Sequence, residues 1–399
     1  MTEPPEAQES GGFSGLAGFY ERAGGVVVPL AATVLAFLIG GLVVLITGHN
    51  PLTAYRAIFD GAGFNWVFPW VQGDDRAAAA RNLQQTLRFA GPFMLTALAV
   101  AFAFRCGLFN IGGQGQYWVG FIAALWIGTH LGGLNRPSHV ALGIAAGIVG
   151  GLVWGGIAGL LRATVGAHEV ITTIMLNWIA IWGGQWLVEA PNGHLHGPVA
   201  SLPRSAVIFD SAKLWPLWGV GPLALSAAIF VALAGLVVYY LVLNRTTLGF
   251  GIRAVGFNPE AARYSGIPVR RSYFLALGIA GAFAGLAGAV DVLGAKFAID
   301  TSDFATQIGF TGIAVALLGR NKAVGIFFAA LLFAGLQTGT STRALDPSIF
   351  DPALATDLAT MIQALVIFFV GAELLIVFIW RARRYLRLRR APREEPAPL

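Results

Sequence analysis

Charge is scarce in this chain. Asp, Glu, Lys and Arg make up 12% of its 399 residues, against about 25% in a typical soluble protein. With 56% of residues hydrophobic and 52 glycines besides, too little polar surface remains to cover a water-soluble globule, which excludes a soluble enzyme. A single cysteine, Cys106, excludes an internal disulfide and a cysteine-based metal cluster. The glycines follow no three-residue period and sit among Leu, Val, Ile and Phe, which excludes collagen-like and disordered chains. No Lys or Arg precedes Arg22, and Glu3, Glu6 and Glu9 make the start acidic, so the basic region of a cleaved signal peptide is missing. No GxxxxGK[ST] loop occurs, so the chain has no phosphate cradle of the kind that holds ATP.

What is present is apolar and long. A bilayer core about 30 Å thick needs roughly 20 apolar residues of helix, and ten stretches approach that: 26–47, 87–104, 116–134, 138–161, 168–188, 222–243, 273–293, 304–319, 323–342 and 358–380. The expected fold is therefore all-α, a polytopic membrane bundle of about ten transmembrane helices. A short cytosolic tail (1–25) precedes the membrane domain (26–380), which holds a long inner loop at 244–272, and a basic cytosolic tail (381–399) follows. The eighth stretch is short, bounded by Asp303 and Arg320 and interrupted by Thr306, Gln307 and Thr311. It reads either as a broken, re-entrant helix or as a tilted span.

The distribution of charge orients the bundle. With both ends inside, 17 of the 26 Lys and Arg fall on the inner side, seven of them between Arg381 and Arg393, as the positive-inside rule requires. That tail directly follows the last span, where anionic lipid attracts it. The net charge of +6 therefore points to membrane lipid and not to nucleic acid, whose binding needs an aromatic or groove-reading context that is missing here.

Gly143, Gly147, Gly151, Gly155 and Gly159 recur every four residues in the fourth stretch, and Gly281, Gly285 and Ala289 repeat the spacing in the seventh. Both sets lie on one helix face, which lets another backbone approach closely. Thr96–Arg105 and Thr311–Arg320 share Thr, Ala, Val, Ala and Arg at equal offsets, a weak internal echo of the repeats from which transporters are often built.

Three polar features stand out from this background. Phe104 to Gln116 reads FRCGLFNIGGQGQ, and Asn110, Gln114 and Gln116 beside four glycines predict a break in the helical ladder, tolerated only where it is buried in protein or lines a cavity. In the fifth stretch, Glu169, Thr173 and Asn177 lie at i, i+4 and i+8 with Thr172 beside them, a stripe that must face protein or water. Two uses compete for it: hydrogen bonds that hold helices together, and the wall of a path for a neutral polar solute. Trp178, Trp182 and Trp186 either stack on a flat solute ring or belong to an interfacial aromatic belt. In the inner loop, Asn258 suits an N-cap, Pro259 the first helical position, Glu260 the positive helix end and Gly266 a left-handed C-terminal position. Pro268 blocks continuation, so a self-capped helix of about two turns is expected there.

GLFNIGGQGQ at 107–116, HEVITTIMLNWIA at 168–180 and RAVGFNPEAARYSGI at 253–267 resemble the inner-membrane permease subunits of ABC importers for branched-chain amino acids, ribose-type sugars and nucleosides. The resemblance runs over about 85–380, and its first two stretches are more similar to the nucleoside branch. It implies a multi-pass protein of the cytoplasmic membrane with no catalytic residue, metal ligand or cofactor of its own. Implied partners are a second homologous permease, a cytosolic ATPase with two nucleotide-binding domains that supplies energy in trans, and an extracytoplasmic Bmp-type substrate-binding lipoprotein. By the same resemblance Arg253, Asn258, Pro259, Glu260, Ala261, Ala262, Arg263, Tyr264 and Gly266 form the element that docks on the ATPase. Asn110, Gln114, Gln116, Glu169, Thr172, Thr173 and Asn177 are the expected solute path. The rivals are a sugar or amino acid permease of the same family and a proton-coupled carrier working alone, for which only Glu169, Asp291 and Glu373 would be membrane-buried titratable groups.

Overall fold

The computed structural model describes residues 11–189, 194–199, 202–219, 224–341 and 352–371, with backbone only for 11–28, 352 and 353. The acidic start of the chain, Glu373 and the arginine tail expected to lie on lipid fall outside the described residues. Helices α1 (Gly11–Ile46), α2 (Pro51–Gly61), α3 (Gly73–Phe104), α4 (Gly113–His130), α5 (Arg136–Val165) and α6 (Glu169–Glu189) come first. A loop carrying a small antiparallel hairpin, β1 (Pro216–Trp218) and β2 (Leu225–Ser226), leads to α7 (Ala228–Arg245), α8 (Thr247–Phe257) and α9 (Pro259–Tyr264). Then follow α10 (Val269–Asp291), extended by a π-helical turn (Val292–Lys296), a 3-10 turn (Thr301–Ala305), α11 (Ile308–Leu318), α12 (Ala323–Gly339) and α13 (Pro352–Gly371).

Among the described residues each of the ten apolar stretches contains a helix, and seven helices there are long and apolar enough to cross a membrane: 29–46, 73–104, 136–165, 169–189, 228–245, 269–296 and 354–371. The boundaries differ from the apolar stretches in one consequential way. α3 starts at Gly73 and the α10 continuation reaches Lys296, so charged residues expected at the rim are carried into the bundle. The eighth stretch holds only the 11 residues of α11, about 16 Å at 1.5 Å per residue and roughly half a bilayer core. It is a half-helix.

α3 is the central column. Every residue from Ala90 to Ala103 is buried, which fits a segment that is apolar on all sides. Around it, α5 and α10 lock together through the two glycine rows: a Cβ on Gly151 would stand 2.1 Å from the Gly281 carbonyl oxygen, and one on Gly285 2.1 Å from that of Gly147. Lipid gives no hydrophobic drive for helix pairing, so this close backbone contact and its dispersion energy hold the pair. The opposite face of α5 exposes Leu142, Val149, Val153 and Leu160, as a lipid-facing surface would.

The C-terminal ends of α3, α7 and α11 meet at one end of the bundle. Arg105 donates to the Asn321 carbonyl (2.9 Å), which also accepts from the Tyr239 hydroxyl (2.7 Å). Asn321 is flanked in sequence by Arg320 and Lys322, and α7 ends on Arg245, so this end of the bundle is basic. The two segments of the internal echo therefore lie side by side and parallel, with Thr96 against Gly312.

Replacing Gly151 by Leu, which forces the Gly281 backbone away, is expected to abolish the folded species or lower its thermal unfolding temperature in detergent, an overpacking cost of about 1–3 kcal/mol or more. Gly183→Leu, where a Cβ meets nothing within 4 Å, leaves that temperature unchanged.

Candidate functional site

Two stretches of non-helical backbone enter the bundle from opposite ends. After α3 the chain turns at Gly107 (φ +74°), with the Leu108 amide donating back to the Ala103 carbonyl (3.1 Å), and becomes helical again only at Gly113. After the π-helical turn it reverses at Phe297 (φ +61°) and resumes as α11 at Ile308. The Thr96 hydroxyl lies 3.3 Å from the Ile308 carbonyl oxygen, while Arg105 reaches Asn321 beyond the other end of α11. Positions 96 and 105 are about 13 Å apart along a helix, so the start of α11 lies near the middle of a core about 30 Å thick.

The predicted amides close both breaks. Gln114 donates to the Thr306 carbonyl (2.6 Å) and accepts from the Gly309 amide (2.7 Å). Gly309 must lack a side chain, since a Cβ would stand 2.3 Å from Gln114 Cα. Asn110 and Gln116 exchange hydrogen bonds (2.9 and 3.2 Å), and the Gly112 amide donates to Asn110 Oδ1 (3.0 Å). From α6, Asn177 accepts from the Gly115 amide (2.7 Å) and donates to the Ile111 carbonyl (3.0 Å). A Cβ on Gly112 would touch Thr173, Asn110 and Gln116 together. Asn110, Gln114, Gln116, Thr173 and Asn177 thus form one buried cluster whose amides are occupied by protein. Of the two uses weighed for the stripe, this structure displays the hydrogen bonds that hold helices.

Glu169 and Thr172 stand apart from it. Glu169 is two turns of helix away from Asn177, at the start of α6, where it pairs with Arg162 (3.5 Å), whose guanidinium lies 5.6 Å over the Tyr273 ring. Thr172 turns to the flank of α6 and donates to the His168 carbonyl (3.1 Å). Trp178, Trp182 and Trp186 are 53, 63 and 63% exposed on the face opposite the cluster, so they cannot stack on a solute beside it. The helical period settles this, because the stripe and the tryptophans occupy opposite sides of one turn.

A second polar cluster was hidden by the expected span ends. One turn beyond Gln114 on α4, the Tyr117 hydroxyl donates to Asp291. Lys296 pairs with Asp303 (2.9 Å) and lies 5.7 Å over the Trp118 ring, and Arg88 donates to the Ala295 carbonyl (3.0 Å). The sequence marked Asp291 as a membrane-buried titratable group; Arg88, Lys296 and Asp303 join it inside the bundle, where α3 and the α10 continuation run past the expected span ends. The signal for them was present in Arg88, Asp291 and Lys296 bordering apolar runs. Among the described residues, no group of three His, Cys, Asp or Glu side chains is placed to hold a metal ion.

At the end carrying Arg105, α9 is capped as the local rules require. Asn258 Oδ1 accepts from the Ala261 amide (3.1 Å), Pro259 opens the helix, and Gly266 takes φ +80° while the Ile267 amide donates to the Ala262 carbonyl (2.9 Å). The sequence did not announce α8, which precedes it directly. A Cβ on Gly256 of α8 would stand 2.2 Å from the Arg105 carbonyl oxygen, so this element bears on the first break. Phe257 and Tyr264 are 92 and 91% exposed on a surface that is otherwise basic, and Phe257 was missed for want of any periodic partner.

A bundle with paired backbone breaks closed at mid-depth, and a capped helix presented at its basic end, has the build of a membrane permease, since irregular backbone at that depth marks solute pathways. Residues 82–371 match the family described as "Branched-chain amino acid transport system / permease component". The "Nucleoside ABC transporter permease protein NupB" of Lactococcus lactis is 34% identical over 88% of this chain and 92% of its own length. The "Guanosine ABC transporter permease protein NupP" of Bacillus subtilis is 36% identical over 90% and 97%. The "Glucose ABC transporter permease protein TsgB13" of Haloferax volcanii is 33% identical over 86% of each. The chain belongs to this family of ABC transporter permeases: it is a multi-pass protein of the cytoplasmic membrane and a transport component, not itself an enzyme.

Asn177→Ala leaves the Gly115 amide and the Ile111 carbonyl buried and unpaired, at about 1–3 kcal/mol each, so a clear loss of thermal stability in detergent is expected. Thr172→Ala removes only a bond within its own helix and leaves stability unchanged.

Proposed function

We propose that this chain is the membrane-spanning subunit of an ATP-driven importer of nucleosides. The reading is carried by similarity over nearly the whole length of two permeases named for nucleosides and guanosine. The glucose permease of comparable identity supports a sugar as the alternative cargo. ABC permease components work with an ATPase and a substrate-binding protein; here the ATPase carries two nucleotide-binding domains, a second homologous permease completes the pore, and the binding protein is a Bmp-type lipoprotein.

The energy enters at the inner loop. Arg253, Asn258, Pro259, Glu260, Ala261, Ala262, Arg263, Tyr264 and Gly266, with Phe257 added, form the surface that docks on the ATPase. Two fully exposed aromatic rings are costly in water and are the kind of anchor that dominates protein interfaces. When the ATPase dimer closes, α9 moves with it, and α8 passes the displacement through the Gly256 contact to the backbone at Arg105. That backbone leads into the first break. Asn110, Gln114, Gln116, Thr173 and Asn177 seal the path in the form described above and exchange their protein partners for solute as the breaks separate. Glu169, paired with Arg162, closes the inner mouth.

The test is uptake by the permease reconstituted with its ATPase and binding protein in vesicles. ATP-dependent accumulation of labelled guanosine, competed by other nucleosides but not by glucose or leucine, is expected; accumulation driven by a proton gradient in the purified chain alone would refute the reading. Phe257→Ala with Tyr264→Ala is expected to leave the permease folded and to lower ATP-driven uptake at least tenfold, since each lost anchor costs about 2 kcal/mol.

A further inference from the structure

The charged cluster beyond Gln114 has features that holding helices together does not account for. Arg88, Tyr117, Asp291, Lys296 and Asp303 converge from α3, α4, α10 and the segment after it. Besides the charge, the locus contains a π-helical turn and a non-glycine residue, Phe297, at φ +61°, both of which are frequent where binding is built into a fold. Trp118 is fully buried, yet its Nε1–H has no hydrogen-bond partner, and the buried Nε–H of Arg88 has none either. Unpaired donors at such depth are expensive and call for an acceptor.

We propose that this cluster is a solute-binding site in the outer half of the path, taking the hydroxyl-bearing sugar ring of the cargo. The proposal rests on the importer reading above. Trp118 Nε1–H and Arg88 Nε–H donate to ring or hydroxyl oxygens, the Asp291 carboxylate accepts from a hydroxyl, and the Trp118 and Phe304 rings, 4.5 Å apart, pack against the sugar's apolar face. Two cations and two carboxylates balance within the cluster, so it offers no net field to a charged solute and suits a neutral one. The form described here is closed: the small cavity reaching the cluster is lined by its Arg88 and Asp291 but not by Trp118 or Phe304, and its volume of about 10 Å³ is room for one water molecule. The outer loop straps it shut, with the amides of Ser205, Ile208 and Leu214 donating to the carbonyls of Ile299, Phe297 and Leu293 at 2.8–2.9 Å. Opening requires that strap to lift from the 293–299 segment.

The complete transporter in vesicles tests this through the concentration dependence of labelled guanosine uptake and its competition by guanosine and by guanine, the same base without the sugar. Trp118→Phe, which keeps the ring and removes the donor, and Arg88→Gln are each expected to raise the KM for guanosine about five- to tenfold and to erase its advantage over guanine. Unchanged KM and discrimination in assembled variants would overturn the site. Should a variant fail to assemble, hydrogen exchange of peptides spanning 292–306 in the wild-type complex decides: slowing by saturating guanosine but not guanine supports the site, and no change overturns it. Wild-type vesicles that move glucose and not guanosine would refute the nucleoside reading alone, and the same variants measured with glucose would then decide the site.

Discussion

The structure depends on one side chain joining two backbone breaks where there is no water to do so. In a hydrocarbon core an unsatisfied amide or carbonyl costs several kcal/mol, and the starts of α4 and α11 would each present several. Gln114, just past the first break, takes a carbonyl and an amide of the second, Thr306 and Gly309, while Asn177 from α6 takes an amide and a carbonyl at the first, Gly115 and Ile111. These bonds are strong because the surroundings are dry, and exchangeable because a polar solute offers the same chemistry. One set of amides thus closes both breaks at mid-depth.

The other contacts keep that set in register. The α5–α10 glycine lock fixes the distance between the helices that flank α4, and the all-apolar face of α3 places Thr96 against the start of α11. From the inner end, α8 touches the first break through Gly256; from the outer end, the loop at 205–214 is bonded to the second. Each break thus has its own contact at one end of the bundle, α8 at the first and the 205–214 loop at the second.

Much of this was legible because membrane folding leaves few options. Hydropathy located ten helices, and a four-residue glycine spacing announced a close pair of them, because only small residues permit backbone contact. The α9 caps were readable residue by residue, since Asn258, Pro259 and Gly266 act through bonds to their immediate neighbours. The break at 105–112 was visible as polar amides among glycines. Less legible were the partners: nothing local says that Gln114 faces Gly309, 195 positions away, or that Asn177 serves the Gly115 amide and the Ile111 carbonyl at the start of another helix. Phe257 and α8 escaped notice because their neighbours Gly249, Gly251 and Gly256 weaken any helical reading.

The sequence alone determined that the chain lives in a membrane, where most of its long helices run, where the ladder breaks and which short helix is capped at both ends. These follow from the period of the helix, the thickness of the bilayer and capping bonds that span only a few residues. Only the tertiary structure decided that the tryptophans of α6 face away from the polar cluster, that α11 is a half-helix, and that Arg88 and Lys296 join Asp291 in the interior. Those depend on the depth and rotation at which one helix meets another, set by packing between residues far apart in the chain.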